Sequence, residues 1–471
     1  MDSLLLLLGL SFVLACIHFL TKSLALGTKK FVPINLPPGP RPFPVIGNIL
    51  QLGKKPHQAL AELSKTYGPI MSLKLGSITT IVISSPHIAK EALQTHDQAL
   101  SSRTIPDGAR ILDHHKHSIA WLPVSAPWRN LRKVCATQMF TAQRLDATEA
   151  VRRKKVQELV DYVHESCRNG SVIDIGQAAF TTVMNSISNT LFSIDLAHYQ
   201  SDLSQNFKKL VSDMMEEAGT PNIADYFPFL QSFDPQGIRK RITTSTGKLL
   251  NIFDENSSQL SLTSIKHLLL DLFVAGIDTT SSTIEWAMAE LLQNPEKLTK
   301  AQTELRQLLG KGGLVQEFDI NKLPYLQAVM KETLRLHPPA PFLVPHKAET
   351  EVEISSYVVP KTAQILVNVW AMGRDSSVWQ NPTSFMPERF LESEIDVKGR
   401  DFELIPFGAG RRICPGLPLA QRMVHLKLAS LLYSFDWKLA HDLKPEEMDM
   451  TEKFGLALHK SEPLLAIPIK V

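Results

Sequence analysis

The hydrophobic pattern changes character several times along the chain. Leu4 to Leu20 is a nearly unbroken apolar run in which His18 is the one strongly polar side chain. Asp2 precedes the run, and Lys22, Lys29 and Lys30 follow it. A cleavable signal has the opposite order, charge first. The pattern therefore predicts an uncleaved membrane anchor whose C-terminal side stays in the cytosol. Such a helix covers about 26 Å, short but suited to the thin endoplasmic reticulum bilayer. Leu36-Pro37-Pro38-Gly39-Pro40-Arg41-Pro42 comes next and predicts a stiff extended hinge, because prolines forbid helix. Alternation at Met71–Leu75 and Ile81–Ile83, on either side of Gly76-Ser77, predicts a hairpin over Ile70–Ser85. Glu351–Val359 and Ile365–Val369 carry shorter strand signals.

Helical periodicity dominates elsewhere. Its longest instance can be capped by Ser261 or Thr263 and ends at Asn294-Pro295. About 30 residues of helix reach roughly 45 Å, enough to cross a whole domain. Leu268, Leu269, Leu272, Phe273, Gly276, Thr280, Thr283, Ile284 and Ala287 recur on it at three- and four-residue steps, and most of that stripe is core. These elements predict a mainly α fold with a small β-sheet region.

Composition changes this picture little. Of 471 residues, 44% are hydrophobic and 21% charged, an ordinary globular balance with a large core. A net charge of +3, without a basic tail, gives no argument for nucleic acid. Cys16, Cys135, Cys167 and Cys414 lack paired spacing, which fits a reducing compartment better than a disulfide framework.

The chemistry concentrates near the C-terminus. Phe407-Gly408-Ala409-Gly410-Arg411-Arg412-Ile413-Cys414-Pro415-Gly416 reads F-x-x-G-x-R-x-C-x-G, and helical pattern resumes at Leu417. Chance supplies those five fixed positions on the order of once in 10⁴ chains of this size. A buried cysteine in a Gly-rich turn is thus the weaker reading. The spacing offers a thiolate axial ligand for haem iron, with Gly410 letting backbone run close to a flat macrocycle and Arg412 placed to reach a propionate. Cys414 precedes a helix start, where free N–H groups favour thiolate over thiol. Ala275-Gly276-Ile277-Asp278-Thr279-Thr280 lies mid-way in the long helix, where Gly and Thr both weaken it. Oxygen activation gives a reason: a local opening for O₂, with Thr279 and Asp278 relaying protons. The structural alternative is a packing glycine, with hydroxyls bonded back to carbonyls.

This constellation resembles the cytochrome P-450 superfamily, and further signals in the family's chain order extend the likeness over nearly the whole sequence. The resemblance implies a single haem-containing body, residues 31–471, behind an N-terminal anchor in residues 1–30. It implies heme b with an axial thiolate from Cys414, with Phe407 in the same loop. Glu332 and Arg335, with Arg389 in Pro387-Glu388-Arg389-Phe390, match the family's buried Glu–Arg–Arg scaffold. Trp128 and Arg132, four apart on one helical face, match the face that meets the propionates. His346 occupies a position where relatives place a hydrogen-bonding group near a propionate; for both, a solvated face or an ordinary loop histidine is the alternative.

Ile70–Gly76, Arg400–Pro406 and Glu452–Leu456 are similar to plant microsomal members of terpenoid metabolism, the geraniol 8-hydroxylase group. The family's pocket segments then map onto Phe273, Ala275, Ala340, Phe342, Val344 and Leu456, an apolar lining suited to a monoterpenol. The implied activity is an NADPH-dependent monooxygenase in the endoplasmic reticulum membrane, using O₂ and in contact with lipid. No nucleotide-binding fingerprint opens a βαβ unit, so a separate NADPH-cytochrome reductase would supply electrons. Other plant metabolites (diterpenoids, alkaloids or phenolics) are alternative substrates. Between Leu250 and Ser264 the chain is shorter than its relatives, which leaves an inactive haem-binding protein as the reading from another class.

Overall fold

The computed structural model describes residues 35–199, 201–256 and 263–471. The expected anchor at Leu4–Leu20 lies outside them. Among the described residues, no helix is long and apolar enough to cross a membrane.

The longer helices are α1 (Pro56–Tyr67), α2 (Ala126–Val134), α3 (Glu149–Asn169), α4 (Ile175–Phe192), α5 (Asp202–Gly219), α6 (Ile238–Asn256), α7 (Thr263–Gln293), α8 (Pro295–Leu309), α9 (Pro324–Leu336) and α10 (Leu417–Ser434). The strands that matter for the site are β1 (Ile70–Leu75), β2 (Ile78–Ile83), β3 (Ser102–Arg103), β4 (His346–Lys347), β5 (Gln364–Val367), β6 (Glu452–Lys453) and β7 (His459–Lys460). The first five form one sheet in the order β1-β2-β5-β4-β3. β1 and β2 pair antiparallel from Leu75 with Ile78 to Ile70 with Ile83, the hairpin that alternation predicts. β6 and β7 form a separate antiparallel pair.

Helix α7 is the axis of the fold. It is buried nearly continuously from His267 to Leu292 and packs against α4, α9 and α10. Trp286 is fully buried on it, stacked 3.8 Å from the His337 ring. A helix buried on most sides needs neighbours all round; among them α9 carries Glu332 and Arg335, and α10 follows the Cys414 loop.

The proline segment is extended, as expected, but it is no free hinge. Ser72 of β1 donates its N–H to Pro38 O at 2.8 Å and its hydroxyl to Pro37 O at 2.6 Å. A Cβ on Gly39 would lie 1.9 Å from Ser72 O, so only glycine lets the chain lie this close. Prolines have no N–H to donate, yet their carbonyls still accept. The segment is pinned to the sheet edge.

One core position breaks the apolar rule. Lys427 on α10 is fully buried and its Nζ has no hydrogen-bond partner. Burial, with Arg152 adding to it, pushes its pKa from the ordinary 10.5 down to about 7, against a smaller pull from Glu317. Between these values the unfolded chain holds a proton that the folded chain lacks, so stability rises as pH climbs from about 7 to about 10.5. At about 1.4 kcal/mol per pH unit, the cost near neutrality is on the order of 4 kcal/mol. Lys427→Met should therefore raise the unfolding free energy at pH 7 by about 2–4 kcal/mol, with the gain shrinking as pH approaches 10. Parallel denaturation curves of both proteins across this range check the sign.

Candidate active site around Cys414

The loop before α10 is shaped by two glycines and closed by its own backbone. Gly408 and Gly410 have φ of +72° and +65°, a region that side chains rarely adopt. Cys414 N–H donates to Phe407 O at 2.9 Å. Phe407, Gly408, Arg412 and Cys414 face the cavity, but Gly410 does not. A Cβ there would lie 2.1 Å from Leu93 O. Its glycine is needed for backbone approach to that carbonyl, not for room beside a macrocycle.

The Cys414 sulfur has a mixed setting. Burial pushes the thiol up, opposed by hydrogen bonds from the Gly416 and Leu417 N–H groups and by the Arg132 guanidinium. The helix start does pull toward thiolate, as expected, but burial outweighs it. A sulfur in this position ionises when a cation binds it directly, which fits a metal thiolate.

Arg103, Arg132 and Arg412 border the same cavity, as does Arg144. Arg412 donates to the carbonyls of Ser101 at 2.8 Å, Ile119 at 3.2 Å and Leu122, and stacks 4.6 Å over Trp128. Arg132 donates to Ile413 O at 2.8 Å. Trp128 Nε1 donates to Ile119 O at 3.1 Å, and His346 Nδ1 to Leu100 O at 2.8 Å. Arg103, which sequence reasoning missed, donates to Val344 O and to Pro345 O at 3.1 Å, and its Nε is unpartnered. Burial pushes Arg103 well down, Arg132 down, and Arg412 down to about 10. Among the described residues none of the three has a carboxylate in ion-pair contact. Buried cations without anions are costly. This rim fits a ligand that brings its own carboxylates, as haem propionates do.

The opposite wall is α7. Ala275, Gly276, Thr279, Thr280 and Thr283 line the cavity. Thr279 Oγ1 donates to Ala275 O at 2.6 Å and Thr283 Oγ1 to Thr279 O at 2.7 Å, the back-bonding that weakens a helix centre. A Cβ on Gly276 would meet Ile187 Cδ1 at 2.9 Å, so this glycine serves packing against α4 as well as space. Asp278 differs from expectation. It does not line the cavity; its carboxylate lies 3.1 Å from His459 Nε2 on the side facing β7.

The cavity measures about 880 Å³. Ala275, Ala340, Val344 and Leu456 line it, together with Leu343. Phe273 and Phe342, expected there, do not. Phe273 points into the core against Phe207 and Phe253, and Phe342 packs on Phe454 under the sheet. A large ring beside several others gains more from edge-to-face contact than from an open wall.

Glu332 ties the proximal side together. It receives Arg335 Nε and Nη2 at 2.7 Å, Arg389 Nε at 3.0 Å and Met386 N–H at 2.7 Å. Arg335 also donates to the carbonyls of Gly373, Pro382 and Ser384. Glu332 and Arg335 are fully buried. Trp379 lies beneath both guanidinium groups and clusters with Phe390, Leu404 and Phe407. The ion pairs thus connect through apolar contact to the cysteine loop.

The sequence model of the family "Cytochrome P450" matches residues 37–255 and 246–467. The chain belongs to the cytochrome P450 family. Cytochrome P450 76T24 of Catharanthus roseus is 53% identical, over 97% of each chain. Geraniol 8-hydroxylase of Swertia mussotii is 52% identical, over 92% of this chain and 93% of the relative, and that of Catharanthus roseus is 52% identical over 92% and 94%. The chain is therefore a P450 monooxygenase with a thiolate-ligated haem, and its reaction needs O₂, a hydrophobic substrate and a redox partner. The alignment with the first relative runs over 487 positions, more than the 471 residues here, and the family match splits at 246–255. Within that aligned span the chain is therefore shorter than this relative.

Arg103→Ala removes one unpaired cation from the rim. The haem-loaded variant should lose haem to an acceptor apoprotein about ten- to a hundredfold faster, the worth of hydrogen bonds to one charged group. An unchanged transfer rate would remove Arg103 from the haem site.

Proposed function

We propose that this P450 hydroxylates an allylic methyl of an acyclic monoterpenol such as geraniol. NADPH supplies two electrons through a separate cytochrome reductase. One atom of O₂ enters the C–H bond and the other leaves as water. The reading rests on 52% identity with two geraniol 8-hydroxylases across 92% of this chain. The apolar wall of Ala275, Ala340, Leu343, Val344 and Leu456 supports it, since such walls bury small hydrophobes and leave orientation to a few polar groups.

Cys414 is the iron ligand in this account, and Arg103, Arg132, Arg412, Trp128 and His346 receive the propionates. When bound, the haem supplies dioxygen activation, with the thiolate favouring O–O cleavage. The protein's own work is positioning. Ala275 and Val344 hold the substrate methyl toward the cavity floor, Leu456 closes the far side, and Thr279 presents a hydroxyl that can pass a proton. Glu332, Arg335 and Arg389 keep the cysteine loop in register.

The body is read as residues 31–471 in the cytosol, held at the endoplasmic reticulum membrane by residues 1–30. Supporting this, Phe43, Val45 and Leu50 are exposed, as are Phe229 and Phe233. Both groups flank the β1–β2 turn, where Gly76 N–H donates to Ile46 O and Ser77 N–H to Tyr226 O. A clustered apolar surface of this kind suits lipid contact. The expected shortening between Leu250 and Ser264 favours no loss of activity, because the cavity residues of α6 (Ile238, Ile242 and Thr246) all precede Leu250.

Purified protein with reductase and NADPH should convert geraniol to a terminal diol. Ala275→Leu should keep haem but cut product about a hundredfold or move the hydroxyl, since about 1 Å of misplacement costs that much. Full haem loading with no product from geraniol, nerol or citronellol overturns the substrate reading.

A further inference from the structure

The β6–β7 hairpin is fastened to the body at several points while its turn reaches the cavity. Glu452 accepts from His57 at 2.9 Å, Gln58 at 3.2 Å and Trp370 at 2.9 Å. Leu458 N–H donates to Pro339 O at 2.7 Å, and Ser282 of α7 donates its hydroxyl to Leu458 O at 3.0 Å. Between these ties, Leu456 N–H donates to Met215 O at 2.9 Å and its side chain faces the cavity. Three residues later, His459 Nε2 meets the Asp278 carboxylate at 3.1 Å. One short stretch therefore touches both the substrate space and the acid beside Thr279.

We propose that His459 is a positioning residue for the oxygenation reaction: it holds the Asp278 carboxylate away from the cavity and supplies its proton. In the transfer, the His459 Nε2–H bond breaks and an Asp278 O–H bond forms, leaving neutral imidazole and a carboxylic acid. The ion pair that turned Asp278 outward is then gone, and the acid can swing toward the wall that carries Thr279. A ligand pressing on Leu456 shifts the same hairpin, so substrate occupancy and the protonation of Asp278 are coupled.

The charges around His459 favour the imidazolium and so the closed ion pair with Asp278. Burial pulls its pKa down, but Asp278 and Glu285 of α7 more than offset this, with Lys208 of α5 opposing, and the net shift is upward. Glu285, itself pushed up by burial, accepts from Leu464 N–H at 3.0 Å. Lys208 is 3.7 Å from Asp174, and Lys460 follows on β7, over the Trp286 ring. A histidine raised in this way contributes stability that is present below its unfolded pKa and lost as pH rises through the folded value. The His459–Asp278 pair should thus be closed at pH 6 and open at pH 9. By reciprocity, whatever a ligand does to the pair, pH must do to the ligand.

The test needs no particular substrate. Haem-loaded full-length protein, with reductase, is given NADPH, and the fraction of electrons recovered as peroxide is measured from pH 6 to pH 9. Wild type should show that fraction climbing severalfold across the range as the imidazolium is lost. His459→Gln keeps a donor but no transferable proton, and its fraction should be high and flat. Thermal midpoints of His459→Gln, Asp278→Asn and the double variant form a cycle; the coupling should be present at pH 6 and absent at pH 9. A flat peroxide fraction in wild type overturns the proposal even if a variant fails to fold. So does a cycle with equal coupling at both pH values, which would make the contact structural.

Discussion

Arg103, Arg132, Arg412 and the Cys414 sulfur border a single cavity, and among the described residues none of these three guanidinium groups has a carboxylate in ion-pair contact. That imbalance organises the molecule. Arg103 comes from β3, Arg132 from α2, and Arg412 and Cys414 from the loop before α10. Each is held by backbone carbonyls or N–H groups, not by a counter-ion. Neutral carbonyls orient a guanidinium without cancelling its charge, so the rim keeps its demand for anions. A cofactor that carries two carboxylates and an iron answers both demands at once. The fold places these three chain segments around it.

Such a rim survives only if its supports do not move. On the proximal side the support is Glu332, which gathers two arginines and a backbone N–H and passes its rigidity to Phe407 through Trp379. On the distal side it is α7, whose burial leaves its hydroxyls to bond back to their own helix. One side is fixed by charge and the other by packing, and the substrate space lies between them.

The elements and motifs were largely legible in the sequence. Alternation found β1 and β2, Asn294-Pro295 marked the end of α7, and spacing singled out Cys414, while the family resemblance brought Glu332, Arg335, Trp128 and Arg132 into the same reading. The failures share a physical cause: they turn on which way a side chain faces, not on which element it occupies. Leu272, Gly276, Thr279 and Thr283 lie on one stripe of α7 at four- and three-residue steps. At about 100° per residue, Asp278 falls well off that stripe, a signal present in the sequence but outweighed by its adjacency to Thr279. Phe273 lies off it too, and ended among other rings. Arg103 left no periodic trace, because its strand has two residues. Lys427 sits in an apolar helical run and gives no sign that its amine would be left without a partner.

The central claim is that Cys414 and the unpaired arginine rim make one haem site. The measurement that bears on it most directly is the absorption spectrum of the ferrous protein under carbon monoxide, for wild type and Cys414→Ser at equal haem content. Wild type should show the red-shifted Soret band of a thiolate ligand, and the serine variant should show none of it. A serine variant that keeps this band would mean that another residue binds the iron, and the account of the cavity would fall with it.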